Sequence, residues 1–248
     1  MPLTFELQID RGPAVGLILL QTDELIEYEL GKLFLGAGVR LYQNRIPCMP
    51  EVRPETLLLM AETMTERAAM LPSEAGIRSI AYGCTSGATV MGEDKVAELI
   101  RAAHPSVEVT NPLSALKAAC RALGVRKLGI VSPYVVEVSE ALNAAITAAG
   151  IEISEYGSFE QAEDQTVARI SPKSVLDAII EIGSGDCDAV FASCTALRAL
   201  ENVPEAERRL NKPVLCSNQV LGWHMLRLAG INAPVAGGGR LFDYGLGG

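Results

Sequence analysis

The sequence predicts an α/β protein made of two similar lobes, each a parallel sheet flanked by helices. Three observations support this prediction. Short apolar runs alternate with helical patterns along the 248 residues. A Cys-Thr pair follows such a run twice, at Cys84 and at Cys194. The spacing agrees, because 69 residues separate Val15 from Cys84 and 66 residues separate Leu128 from Cys194.

The match continues after each cysteine. A hydroxyl-Asn pair follows both, as Thr110-Asn111 and as Ser217-Asn218. We therefore predict two copies of one α/β unit. The first lobe spans residues 1–115 and is completed by a C-terminal helix at 218–230, and the second lobe spans residues 116–217.

The first copy reads as alternating strands and helices. Val15 to Leu20 is a continuous apolar run, typical of a strand buried on both faces of a parallel sheet. Thr22 or Asp23 can cap the helix that follows, and Pro54 can open another helix. The pattern predicts strands at 15–20, 39–42, 77–82 and 107–110, and helices ending at 35 and spanning 54–71, 89–103 and 112–124.

The second copy repeats this order. Ser132 to Tyr134 is predicted as a polar turn after its first strand, and residues 157–165 as a polar loop. The predicted strands are 127–131, 151–156, 189–192 and 213–216, and the predicted helices are 135–149, 172–182 and 218–229.

Composition narrows the function classes. The formal charge of −9 argues against nucleic acid or an acidic membrane as partner, although it allows a small anionic substrate. No apolar run reaches the length of about 18 residues that a membrane span needs, and no signal-peptide pattern is present, so we expect a cytoplasmic protein. Six cysteines without a C-x-x-C or C-x-x-H pair argue against zinc, and the lack of an export signal favours reduced thiols. Self-association into a homo-oligomer stays open.

The polar turns that end the predicted strands indicate where a site lies. Ligands of parallel α/β sheets bind outside the carboxyl ends of the strands. These ends converge only if the two lobes face each other, which puts the site in the cleft between them. The segments concerned are Gln21–Asp23, Cys84–Ser86, Ser132–Tyr134 and Cys194–Thr195.

The two cysteines predict acid–base chemistry. A helix N-terminus favours the thiolate, and both Cys84 and Cys194 precede residues that can open a helix. Two thiols on opposite sides of one carbon can remove a proton from one face and return one to the other, which is cofactor-free racemisation. The remaining cysteines are expected outside the cleft as small buried side chains: Cys48, Cys120, Cys187 and Cys216.

Hydroxyl groups beside the cysteines predict carboxylate binding. Thr85, Ser86 and Thr195, with nearby N–H groups, can hold a carboxylate or the enediolate formed from it, unless they only cap helices. Tyr134 can donate a hydrogen bond to the same oxyanion. The other predicted substrate-binding residues are Gln21, Thr22, Asp23 and Asn218.

Four motifs, and the order in which they follow one another, resemble those of the aspartate/glutamate racemase superfamily. They are Tyr82-Gly83-Cys84-Thr85-Ser86, Val131-Ser132-Pro133-Tyr134, Ala192-Ser193-Cys194-Thr195 and Ser217-Asn218-Gln219. The chain is most similar to the branch of maleate cis-trans isomerases, arylmalonate decarboxylases and ectoine-utilisation racemase-like proteins. The resemblance implies two pseudo-symmetric Rossmann-like lobes, no metal or organic cofactor, and a small carboxylic acid between the cysteines. It further implies that Cys84 and Cys194 are the catalytic pair and that Tyr134 binds the substrate carboxylate.

Two departures from that branch bear on the reaction. Arylmalonate decarboxylases resemble the pattern with a glycine at the position of Cys84, which speaks against decarboxylation. Maleate isomerases typically have Pro-Ser-Ser-Asn where this chain has Leu20-Gln21-Thr22-Asp23. An aspartate there repels a second carboxylate and suits an ammonium group.

The leading hypothesis is therefore a cofactor-independent racemase or epimerase of a small amino or N-acylamino acid, as in ectoine breakdown. The alternative is a maleate isomerase-like enzyme, in which one cysteine adds to the double bond, permits rotation and is expelled. An arylmalonate-type decarboxylase and a non-catalytic carboxylate-binding protein are the remaining hypotheses.

Overall fold

The computed structural model describes residues 1, 3–7, 12–49 and 51–247. Within these residues, eight strands form two parallel sheets, which confirms the predicted fold class. The strands are β1 Ala14–Leu20, β2 Arg40–Ile46, β3 Ile77–Gly83, β4 Glu108–Thr110, β5 Lys127–Tyr134, β6 Glu152–Gln161, β7 Ala189–Ala192 and β8 Val214–Cys216. The first sheet has the order β2-β1-β3-β4 and the second the order β6-β5-β7-β8, so the two lobes share one topology.

Helices cover both sheets. They are α1 Ile26–Ala37, α2 Pro54–Leu59, α3 Ala61–Ala69, α4 Thr85–Met91, α5 Glu93–Arg101, α6 Pro112–Leu123, α7 Val136–Ala148, α8 Asp164–Val167, α9 Pro172–Gly183, α10 Val203–Leu210 and α11 Ser217–Leu228. Every residue of β1 is buried, as expected for a continuous apolar strand in the middle of a covered sheet. Among the described residues, no helix is both long and apolar enough to cross a membrane.

Two predicted helices of the first lobe are each divided in the structure. The helix predicted over 54–71 consists of α2 and α3, which meet at Met60. The helix predicted over 89–103 begins earlier, at Thr85, and is interrupted at Gly92, whose φ of 88° lies in the region that favours glycine. The earlier start places Cys84 at the N-cap of α4.

In the second lobe the predicted boundaries of two strands are wrong. Residues 132–134 continue β5 and do not form a turn, because Tyr134 still pairs with Gln161 of β6. Strand β6 extends to Gln161, beyond the predicted end at 156. It lies at the edge of its sheet and is half exposed, so its last residues are polar and do not show the apolar pattern of a buried strand. Helix α10 was not predicted.

The last helix packs on the first sheet. Ser79 Oγ of β3 donates to the carbonyl oxygen of Met225 at 2.9 Å, and Thr110 Oγ1 of β4 lies 2.7 Å from His224 Nδ1. The Arg78 guanidinium donates to the carbonyl oxygen of Ala229 at 3.1 Å. Helix α11 therefore covers the first lobe although it follows the second in sequence. The predicted lobe boundary at 115/116 falls inside α6 and stays a prediction.

Candidate active site

A small cavity lies between the lobes, where strands β1, β3, β5 and β7 end. Together with the open solvent at its mouth, it contains about 390 Å³ of space that no protein atom occupies. Both lobes contribute to its wall. The lining residues are Leu20, Thr22, Asp23, Val52, Leu57, Cys84, Thr85, Ser86, Tyr134, Asp164, Cys194, Thr195 and Ala196.

Eight of the ten residues predicted from the sequence line this cavity: Thr22, Asp23, Cys84, Thr85, Ser86, Tyr134, Cys194 and Thr195. Gln21 is exposed and lies outside it. Asn218 is buried behind the wall, where Nδ2 donates to the Thr195 carbonyl oxygen at 2.8 Å and to Glu29 Oε2 at 2.7 Å. Asn218 thus supports the loop after Cys194, and the catalytic and binding roles of the lining residues remain predictions.

The other four cysteines do not line the cavity. Cys48 is only partly buried, so the expectation of a buried side chain is wrong for it, and its Sγ lies 3.4 Å from Oγ1 of the lining residue Thr22. The remaining three are buried: Cys120, Cys187 and Cys216. In the part of the chain that the structure describes, no group of three or more His, Cys, Asp or Glu side chains is arranged to hold a metal ion.

Cys84 occupies the N-cap of α4 in an extended conformation, with a φ of −145°. Its Sγ accepts a hydrogen bond from the Gly87 N–H at 3.2 Å. Burial nevertheless raises the pKa of the Cys84 thiol to about 12, and the Gly87 N–H opposes this only in part. The sequence-based expectation of a lowered pKa is therefore wrong for the Cys84 thiol. The reason is that removal from water outweighs the one N–H donor that this short helix offers.

Cys194 differs from Cys84 in local structure. No α-helix follows it, since the next residues form a turn that leads to a 3₁₀ helix at Leu200–Asn202, and the predicted helix start is wrong here. Its φ is 105°, a value that L residues rarely adopt. The Cys194 N–H donates to Ser217 Oγ at 2.9 Å, and its Sγ accepts from the Ala196 N–H at 3.3 Å. Burial raises the pKa of this thiol as well.

Tyr134 connects Cys194 to a carboxyl group. Its hydroxyl donates to Asp164 Oδ1 at 2.5 Å and lies 3.0 Å from Cys194 Sγ. A tyrosine hydroxyl has one hydrogen, so when that hydrogen is directed to Asp164, the thiol is the donor toward Tyr134. The three side chains then form a hydrogen-bonded path from thiol to carboxylate. Burial raises the pKa of Asp164, which brings this acceptor closer to the pKa of a thiol.

Asp23 supplies a second carboxyl group to the cavity wall. Its Oδ1 accepts from the N–H groups of Leu25 and Ile26, both at 2.8 Å, and so caps the start of α1. Its Oδ2 is buried and has no hydrogen-bond partner among the described residues. The Thr195 hydroxyl lies close enough to lower the pKa of Asp23, but its hydrogen is directed to the Gly83 carbonyl oxygen, at 3.5 Å, and not to Oδ2. Burial raises the pKa of Asp23, and the two N–H donors oppose that effect.

Ser217 joins the two cysteine loops. Its Oγ accepts from the Cys194 N–H and lies 2.9 Å from Thr85 Oγ1. Sequence reasoning did not select Ser217, although it precedes the selected Asn218. It also missed Asp164, which lies in a segment predicted as a polar loop and carries no local pattern that marks it.

Comparisons with known proteins agree with this architecture. The family model described as arylmalonate decarboxylase matches residues 47–242. The maleate isomerase of Nocardia farcinica is 28% identical over 238 residues, which are 92% of this chain and 94% of the relative. The arylmalonate decarboxylase of Bordetella bronchiseptica is 33% identical over 126 residues, 50% of this chain and 52% of the relative.

A solved structure gives a further match. It is a mutant of the Nocardia farcinica maleate cis-trans isomerase with a covalently bound succinylcysteine intermediate. It superposes with a TM-score of 0.85 at 26% identity, covering 93% of this chain and 98% of that one. The resemblance drawn from the sequence is thus confirmed, apart from the link to ectoine breakdown. The chain belongs to the arylmalonate decarboxylase family, and over most of its length it is similar to maleate isomerases.

Proposed function

We propose that the protein is a cofactor-independent cis–trans isomerase of a small unsaturated carboxylic acid, working through covalent addition of a cysteine. The observation that carries this proposal is that Cys84 and Cys194, from equivalent strand ends of the two lobes, line one small cavity. The relatives support this alternative better than the racemase that we expected from the sequence, because they include maleate isomerases, one of which holds a succinylcysteine in its solved structure.

Cys194 is the nucleophile in this proposal, an assignment that rests on its hydrogen-bonded path through Tyr134 to Asp164. The succinylcysteine of the solved relative supports covalent addition but not this choice of cysteine, because it forms in a mutant of that protein that lacks one cysteine. Both thiols are neutral at rest, so the nucleophile first needs a proton acceptor. The path through Tyr134 gives Cys194 one: Tyr134 Oη takes the thiol proton while its own proton passes to the Asp164 carboxylate. The products are a Cys194 thiolate and a protonated Asp164, with Tyr134 unchanged.

The covalent steps then balance without a cofactor. The thiolate electron pair forms a C–S bond to the β-carbon, and the π pair moves to the α-carbon and into the carboxylate. The Cys84 thiol protonates the α-carbon and becomes a thiolate. Rotation about the new single bond follows. Cys84 then takes a proton back from the α-carbon, the C–S bond breaks, and Cys194 regains its proton from Asp164 through Tyr134.

The substrate carboxylate is stabilised by groups beside Cys84. The first N–H groups of α4 have no partner within the helix, and Thr85 and Ser86 line the cavity. Ser217 fixes the Thr85 hydroxyl at 2.9 Å, which orients this donor before the substrate arrives. Donors fixed in advance at the position where negative charge develops lower the barrier to enediolate formation.

Racemisation is the second candidate, and the two carboxyl groups on the wall favour it because they suit the ammonium of an amino acid. The same groups can perform it: the Cys194 thiolate removes the α-proton, and the Cys84 thiol delivers one to the opposite face. The expected link to ectoine breakdown stays a prediction.

Proton NMR in D₂O separates the two reactions. We expect the protein to convert maleate or its monoamide, maleamate, to the trans isomer, which the vinyl signals distinguish. Cys84→Ala and Cys194→Ala are the controls, and each should lose turnover. Solvent deuterium entering the α-position of an amino acid without any alkene conversion would instead support racemisation. Absence of both reactions over a panel of such acids would contradict the proposal.

A further inference from the structure

The charge of the cavity wall bears on what the substrate carries at the end remote from the reacting carboxylate. Two carboxyl side chains, Asp23 and Asp164, line the cavity, and no Lys, Arg or His is among the described residues that do. The guanidinium of Arg45 lies outside the lining, where it donates to the backbone carbonyl oxygens of Leu20, Gln21 and Asp23 and pairs with Glu27. A dianion bound here would meet acidic groups without a neutralising cation.

Asp23 has an acceptor left over. Its Oδ1 is fully used as the cap of α1, with hydrogen bonds from Leu25 and Ile26. Its Oδ2 is buried without a donor among the described residues, in a side chain that is only 5% exposed. A buried acceptor without a donor is costly, and a ligand that donates a hydrogen bond removes that cost. A ligand carboxylate cannot, because an ionised carboxylate is acceptor-only.

Asp164 extends the same wall from the other lobe. Asp23 lies close enough to raise the pKa of Asp164, so the two carboxyl groups share one environment. Thr22, beside Asp23 in sequence, also approaches the Asp164 carboxyl group. One Asp164 oxygen accepts from Tyr134, and this carboxyl group has further acceptor capacity.

We infer that Asp23 and Asp164 form a subsite for a hydrogen-bond donor, so that the substrate is a monocarboxylate whose far end is a primary amide or an ammonium group. This inference rests on the proposed function for the reacting end of the substrate. A second carboxylate in that position would face like charge at short range, which lowers affinity by about a hundredfold or more at the effective dielectric of a protein site. An amide meets the free Oδ2 of Asp23 with a donor instead.

Binding on an inactive background tests the subsite without turnover. Calorimetry on Cys84→Ala protein at pH 8 compares three cis-unsaturated acids: maleate, maleamate and cis-4-aminobut-2-enoate. We expect maleamate or the amino acid to bind at least about tenfold more tightly than maleate. Preference for the amide over the ammonium, or the reverse, identifies the donor. If maleate binds as tightly as both, or if neither donor-bearing acid binds, the inference is wrong.

Three further substitutions in the Cys84→Ala protein test whether Asp23 and Asp164 cause the difference in affinity. Asp23→Asn should bring the ratio of affinities close to one or reverse it, since asparagine still caps a helix but replaces one oxygen by a donor. Asp164→Asn should act in the same direction and can still accept from Tyr134. Glu24→Gln is the matched control: Glu24 is an exposed neighbour of Asp23 that pairs with Arg169 outside the cavity, so the ratio should not change. An unchanged ratio in Asp23→Asn and Asp164→Asn would overturn the inference.

The two proposals can fail separately. Tight binding of a donor-bearing acid to the Cys84→Ala protein, with no isomerisation by the unmodified protein, would contradict the proposed function and leave the subsite intact. Rapid isomerisation of maleate, with equal affinities for all three acids, would support the proposed function and contradict the subsite.

Discussion

The two cysteines end equivalent strands of equivalent lobes, yet their surroundings differ. Cys84 is the N-cap of α4, with an extended backbone and a helix N–H on its sulfur. Cys194 has a φ of 105°, no α-helix after it, and a hydrogen-bonded path through Tyr134 to Asp164. The repeated fold thus places two thiols in equivalent positions, and neighbours that the repeat does not share give the two thiols different surroundings.

The largest expected effect comes from removing either thiol. Cys84→Ala and Cys194→Ala should each reduce turnover by about 10² to 10⁴, the usual contribution of a positioned acid or base. Intact-mass spectrometry with an unsaturated acid should detect an adduct only where Cys194 is present. An adduct on Cys84 in the Cys194→Ala protein would reverse the roles that we assign to the two cysteines.

The next effect concerns the path to Asp164. Asp164→Asn and Tyr134→Phe should each lower kcat by about 10², and the double variant should lose little more, because both changes break one unit. The pKa of Asp164 is raised, and only its ionised form accepts a proton. Turnover should therefore rise as pH rises through that pKa, and this limb should vanish in Asp164→Asn. Additive losses with an unchanged pH profile would indicate a purely structural role.

A smaller effect, on the pH dependence of stability, is expected from Glu29, which lies outside the cavity beside Asn218. Burial raises the pKa of Glu29, which accepts from Asn218, from 4.5 to about 8. The folded state therefore binds this proton more tightly than the unfolded chain, and the contribution of Glu29 to stability falls as pH rises from 4.5 to 8. Each pKa unit corresponds to about 1.4 kcal/mol at most. Glu29→Gln should flatten the pH dependence of Tm in this range, and an unchanged slope would refute the assignment.

The smallest effect tests the backbone difference directly. At Cys194, glycine should be more stable than alanine by about 1 kcal/mol, because a φ of 105° strains any L residue. At Cys84, with a φ of −145°, the order should reverse by about 0.5–1 kcal/mol. Denaturant unfolding of the four variants measures both differences. The same order at both positions would mean that the two backbones do not differ in strain.

The sequence predicted the features that local pattern determines. The strands that carry Cys84 and Cys194 are short apolar runs followed by polar residues, and this alone located most of the cavity wall. Asp164 was out of reach, because it follows an edge strand of polar residues and reaches the site only through tertiary packing. The raised pKa values of the thiols were also out of reach, since burial depends on how the lobes close over the cavity.

The position of helix α11 in the chain determines when the first lobe can complete its folding during synthesis. This helix is the last α-helix among the described residues, yet Ser79 and Arg78 of β3 donate hydrogen bonds to carbonyl oxygens at its C-terminal end. During synthesis on a ribosome, the first sheet leaves the exit tunnel long before the helix that covers it. The first lobe therefore waits, with an apolar face uncovered, until the second lobe has been translated. Nascent chains arrested before residue 217 should be the aggregation-prone species, and a chaperone would be most useful in that interval.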